Sequence, residues 1–174
     1  MNPKRFSWWK LVAVWALFLV LHFSYETFPN MLFKLIGEEG ETTFFHMKML
    51  FFAYLLVSIV EFVARRKTLV STSSFASSRA LVSVAYPWLT ITIWFFAEAV
   101  GLTMHNLAVE LVYANLATLL GIYMALLMEE FLGGLDFRPS AKAMIALVFA
   151  CALLSYTAFS FTTPQPFFTT PPGF

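Results

Sequence analysis

The chain is poor in charge. Only 12% of its 174 residues are Asp, Glu, Lys or Arg, against about 25% in an ordinary soluble domain. With 60% hydrophobic residues and a mean hydropathy of +0.76, it has too little polar surface to cover a water-facing globule. The bilayer is the expected solvent for most of it. A net charge of +1 gives no overall attraction to nucleic acid or to an acidic partner. Cysteine is nearly absent: Cys151 stands alone, which excludes an intrachain disulfide and leaves the redox compartment open. Its expected role is that of a small buried apolar residue. No internal repeat is visible, which disfavours an inverted-repeat transporter. No apolar run alternates with period two, which excludes a transmembrane barrel.

What is present is a series of long apolar runs. A spanning helix needs about 20 mainly apolar residues, and five segments meet that length: Trp8 to Phe28, Thr43 to Ala64, Ala80 to Thr103, Leu107 to Leu132 and Ala141 to Phe161. The expected fold is an all-α, polytopic membrane bundle of five helices over residues 1–161, followed by a Pro- and aromatic-rich tail, residues 162–174. The first run resembles a signal peptide, but it is too long and no small-residue cleavage site follows, so a retained helix is expected. The breaks fit their chemistry. Pro29 in "TFPN" ends the first run. "RRKTLVSTSSFASSR" reads as a polar, Ser-rich loop. "GGLDFRPS" combines helix-ending glycines with Pro139 and a cap at Ser140. Pro87 inside the third run predicts a kink.

The basic residues sort by side. Lys4, Arg5, Lys10, Arg65, Arg66, Lys67, Arg79, Arg138 and Lys142 fall on one, Lys34 and Lys48 on the other. The positive-inside rule then places the N-terminus in the cytoplasm and the tail outside. The expected location is the cell (plasma) membrane, crossed several times.

With that topology a set of polar residues falls at one depth near the outer face: His22, Glu26, Glu41, His46, Lys48, Glu98, His105 and Glu110. His22 and Glu26 are four apart and share a helix face. Charges within a membrane helix cost about 2.5–3.5 kcal/mol at its centre and usually face the bundle interior. Three uses compete. The set is structural, with His22 bonding Glu26, His46 capping its helix near Glu41, and Glu110 offsetting a helix dipole. Or it holds a divalent metal, with His22, Glu26, His46, Glu98 and His105 as candidate ligands; catalysis would then use Glu26 or Glu98 as acid/base. Or it lines a polar cavity for a lipid headgroup, quinone or other amphiphile. Haem is disfavoured, because nothing beyond the histidines points to it. Glu61, Glu129, Glu130 and Asp136 fall at the opposite ends near basic residues. Glu129 and Glu130 are expected to be solvated.

Three stretches carry a family resemblance: "HFSYETF" from His22, "GETTFFHMKMLFF" from Gly40, and the tail "FSFTTPQPFFTTPPGF". The second is similar to an Asn-Glu-Ser-x-Trp-Glu-His-x-Lys-x-x-Phe-Phe pattern at Glu41, His46 and Lys48, with Gly40, Phe44 and Phe45 departing from it. "FFAEAVGLTMHNLAVEL" resembles the same family's third helix and following turn. Together they resemble a small prokaryotic family of five-helix integral membrane proteins of unknown function, and the resemblance implies topology rather than activity. His22 and Glu26 alone also resemble the His-x-x-x-Glu of sterol-isomerase-like membrane proteins. The expected role is a non-enzymatic accessory or scaffold subunit of a larger membrane complex, with lipids and other membrane subunits as partners. The alternative is an intramembrane enzyme, or a metal- or amphiphile-binding protein, using the His/Glu cluster.

Overall fold

A computed structural model describes residues 7–37, 42–102 and 106–162. They form α1 (Trp8–Thr27), α2 (Met31–Ile36), α3 (Thr43–Arg65), α4 (Thr72–Ala99), α5 (Leu107–Gly133) and α6 (Pro139–Ala158). All but α2 are long and apolar enough to cross a membrane, so the chain reads as a multi-pass, all-helical membrane protein. Residues 163–174, which hold nearly all of the predicted tail, lie outside the described residues.

Helix ends follow local chemistry. Thr42, Ser71 and Asn106 cap α3, α4 and α5, each accepting a hydrogen bond from a backbone N–H of the first turn. α4 ends in a Schellman turn: Leu102 N–H donates to Ala97 O and Gly101 N–H to Glu98 O, each at 2.9 Å. Gly101 sits at φ 79°, where the lack of a Cβ removes the left-handed penalty. Two expectations are corrected here. Residues 72–79, read as loop, are helical. Their serines tolerate it by bonding within the helix, as Ser78 Oγ does to Phe75 O at 2.9 Å. The N-cap position of α6 is held not by Ser140 but by Arg138, which makes no side-chain capping bond, with Pro139 in the first helical position, where its missing N–H costs nothing. The short α2 was not foreseen; Asn30 caps it after Pro29 ends the preceding helix.

α1, α3, α4 and α5 form a closed ring of neighbours in which α1 packs on α3 and α5, and α4 packs on α3 and α5. α6 lies outside it, against α4, with Phe149 and Tyr156 meeting Phe51 of α3 at 5.8 and 5.0 Å between ring centroids. α3 is the most enclosed element, with 61% of its apolar window buried, whereas only 11% is buried in α6. Cys151 accordingly lies exposed on α6, correcting its expected burial.

Lipid offers apolar side chains as good a home as a helix neighbour does, so close packing and hydrogen bonds must hold the ring together. Both are present. Gly121 of α5 lets Thr90 of α4 approach so closely that an added Cβ would overlap the threonine side chain. Trp15 Nε1 of α1 donates to Asn115 Oδ1 of α5 at 3.1 Å. Tyr113 OH of α5 donates to Ile93 O of α4 at 2.7 Å.

Candidate functional site

The densest polar site lies at the end of the bundle holding the starts of α1, α4 and α6 and the ends of α3 and α5. Each of the four ring helices contributes a charged side chain to its buried centre: Lys10, Glu61, Arg79 and Glu129. Lys10 Nζ donates to Glu61 Oε2 and Glu129 Oε2, both at 2.6 Å. Arg79 Nη2 lies 3.2 Å from Glu61 Oε1 and 2.8 Å from Glu129 Oε1. Each carboxylate therefore turns one oxygen to the lysine and the other to the arginine, closing a cycle of alternating charge. Tyr54 OH adds a hydrogen bond to Glu129 Oε2 at 2.5 Å, and Arg65 Nη1 another to Glu61 Oε1 at 2.7 Å. Lys10 also lies 4.8 Å from the Tyr54 ring centroid, and Arg79 lies 4.1 Å from that of Phe75, where cations are attracted to the ring face.

Lys10 is wholly buried, Glu61 and Glu129 nearly so. Glu61 and Glu129 each sit four residues before the last residue of their helix, about 6 Å along the axis at the helical rise. Charges removed from water need close counter-charges and hydrogen bonds, and the cycle supplies both. Glu61 and Glu129 stand near basic residues, as expected, but Glu129 is buried rather than solvated, while its neighbour Glu130 is exposed. One signal was available: Lys10, Glu61 and Glu129 lie inside apolar runs and Arg79 directly before one, all near the same end, with signs that cancel in pairs.

Above the cycle opens a cleft of about 680 Å³. Glu61, Arg79 and Glu129 reach its floor. Arg65 at the end of α3 and Ser71 and Ser74 at the start of α4 line it together with Glu130, Gly133 and Asp136 from the end of α5 and the loop beyond.

At the opposite end, the structure brings together part of the expected cluster. The His22 and His46 rings lie 5.4 Å apart between centroids, with Trp94 at 5.0 Å from His46 and Phe18 at 6.2 Å from His22. His46 Nδ1 is 2.9 Å from Thr42 O, so it bonds back to the capping residue. Lys48 is fully buried, donating to Lys34 O at 2.9 Å and Ser160 Oγ at 3.2 Å. It thereby joins α2, α3 and the end of α6. Glu26 and Glu98 are exposed and Glu110 is half-buried. No ion pair joins these three carboxylates to another described residue. Glu41 and His105 lie outside the described residues. Among the described residues, no three His, Cys, Asp or Glu side chains converge in a way that could hold a metal.

A model of the family of unknown function DUF6512 matches residues 1–170. The chain belongs to that family. Its expected likeness to a membrane family of unknown function thus stands, joined by the five apolar helices. No curated protein and no solved structure matches the chain.

Proposed function

We propose that the protein is a non-enzymatic membrane subunit, a compact four-helix support with a fifth helix packed on its flank. The observation that carries this reading is the charge cycle. Lys10, Arg79, Glu61 and Glu129 are each held by oppositely charged neighbours within 3.2 Å. A carboxylate so engaged is not poised as a base, and an ammonium bridging two carboxylates is not poised as a nucleophile. The arrangement suits a fixed support, in which charges from four helices lock relative helix position.

Photo-crosslinking from α6 in the native membrane, through a probe replacing Leu147 or Leu154, tests the reading. A reproducible cross-link to one membrane protein in stoichiometric amount is expected. Cross-links to lipid alone, with the purified chain carrying out a chemical turnover that Lys10→Met abolishes, would overturn it.

A second reading rests on the His22–His46 pair. Two imidazoles from different helices at 5.4 Å between ring centroids supply two nitrogen donors, and neutral imidazole suits zinc, copper and iron. Metal analysis of protein purified without chelator, alongside His22→Ala, separates the readings: stoichiometric metal lost in the variant favours the second.

A further inference from the structure

We infer that the cleft above the charge cycle binds a lipid headgroup carrying both a phosphate and a primary ammonium, a phosphoethanolamine-type group. Headgroup depth follows from the lining, which comes mostly from the last turns of α3 and α5, the first turn of α4 and the loops beyond them. That lining includes Ser7, which directly precedes the exposed Trp8 and Trp9, and tryptophan is enriched at the membrane–water boundary. The cleft's volume of about 680 Å³ falls within the range of small-molecule sites, roughly 300–1,000 Å³.

The lining carries both signs of charge. Arg65, whose side chain is 58% exposed, stands beside the N-terminus of α4, where Ser71 and Ser74 line the cleft. The positive end of the α4 dipole points to the same place. These groups suit phosphate, which arginine recognises with two parallel hydrogen bonds. The end of α5 and the loop after it bring Glu130, which is exposed, and Asp136, whose side chain is 97% exposed and lies 3.8 Å from Lys142. The C-terminal carbonyl end of α5 adds negative potential there. These groups suit a cation.

The floor adds no net preference, since Glu61, Glu129 and Arg79 are balanced within the cycle by Lys10. An anion alone would leave Glu130, which has no ion pair with another described residue, without a counter-charge, and a cation alone would leave idle the Arg65 nitrogens beyond the Nη1 that bonds Glu61. A zwitterion matches both.

The cation is assigned as a primary ammonium by what Glu130 and Asp136 can accept. Carboxylates reward N–H donors, and a quaternary ammonium has none; such groups are instead bound by aromatic cages. Phe75 is the one aromatic side chain among the described lining residues, and Arg79 already covers its face.

Room for the headgroup depends on Gly133. A Cβ there would stand 3.3 Å from Arg79 Nη1, so a larger side chain would fill the space over the guanidinium.

The test is retention of lipid by the full chain in nanodiscs made from equal parts phosphoethanolamine, phosphocholine and phosphoglycerol lipids, read by native mass spectrometry. Phosphoethanolamine lipid is expected to be enriched about tenfold over phosphocholine, the value of one hydrogen bond to a charged group. Glu130→Gln with Asp136→Asn should remove the preference for phosphoethanolamine over phosphoglycerol. Arg65→Gln and Gly133→Leu should lower retention of every lipid. Arg65, Glu130 and Asp136 are exposed and Gly133 is the last residue of α5, and helical content by circular dichroism checks that each variant is folded. Equal retention of the three lipids, a phosphoglycerol preference that Glu130→Gln with Asp136→Asn leaves unchanged, or full retention in folded Gly133→Leu would each overturn the assignment.

Discussion

The two ends of this bundle handle polar residues in opposite ways. At one, four helices each deliver a charge to a buried, self-neutralising cycle. At the other, imidazoles and a lysine are wrapped in rings and backbone carbonyls, and the carboxylates Glu26 and Glu98 turn outward. The difference teaches that a charge near a helix end has no fixed meaning. It marks topology when solvated and architecture when its helix face points into the ring. Lys10 and Lys67 both count toward the same side in a tally of basic residues, yet one is wholly buried and the other is exposed.

If the cycle is the structural keystone, substitutions there must cost far more than any at the histidine end. The largest effect is expected for Glu61→Leu, because Glu61 answers Lys10, Arg65 and Arg79 together. Removing one partner of a buried pair costs about 3–5 kcal/mol, measurable as reversible unfolding in a bilayer mimetic. Next comes Gly121→Leu, which drives a side chain into Thr90; overpacking of this kind costs about 1–3 kcal/mol. Thr90→Ala in the same chain should return part of it. Tyr54→Phe should cost a comparable amount, about 1.5–3 kcal/mol, if its hydrogen bond to ionised Glu129 has full charged-group value. His22→Ala, at the other end, should cost about 0.5–1.5 kcal/mol, the value of an aromatic pairing. Smallest is Asn115→Leu, which removes the bond from Trp15; such interhelical bonds average about 0.6 kcal/mol in membranes. A His22→Ala cost equal to that of Glu61→Leu would erase the contrast between the ends.

Much of the architecture was legible because membrane helices announce themselves by length and apolarity. All five spans, the stop at Pro29 and the shared depth of His22 and His46 followed from that. The Ser-rich stretch before Arg79 misled, because serine is polar as a free side chain but satisfied when it bonds within its own helix. The charge cycle was missed for a different reason. Lys10 beside Trp8 and Trp9 looks like an interfacial anchor, and Glu129 beside Glu130 looks like a solvated end. Which of two adjacent glutamates faces inward depends on the packing of α5 against α1 and α4, and that is a property of the assembled ring. The cleft depends likewise on where two loops meet, which no single run encodes.

The most direct test of the account is a double-mutant cycle on Lys10 and Glu129, read as unfolding free energy in one bilayer mimetic. Lys10→Met alone should destabilise by about 3 kcal/mol or more, because it strips one cation from a buried pair. Adding Glu129→Leu should recover much of that loss, giving a coupling of about 1–3 kcal/mol. Strictly additive losses, or a Lys10→Met cost below about 0.5 kcal/mol as for an ordinary surface substitution, would contradict the claim that the buried cycle holds the four helices together.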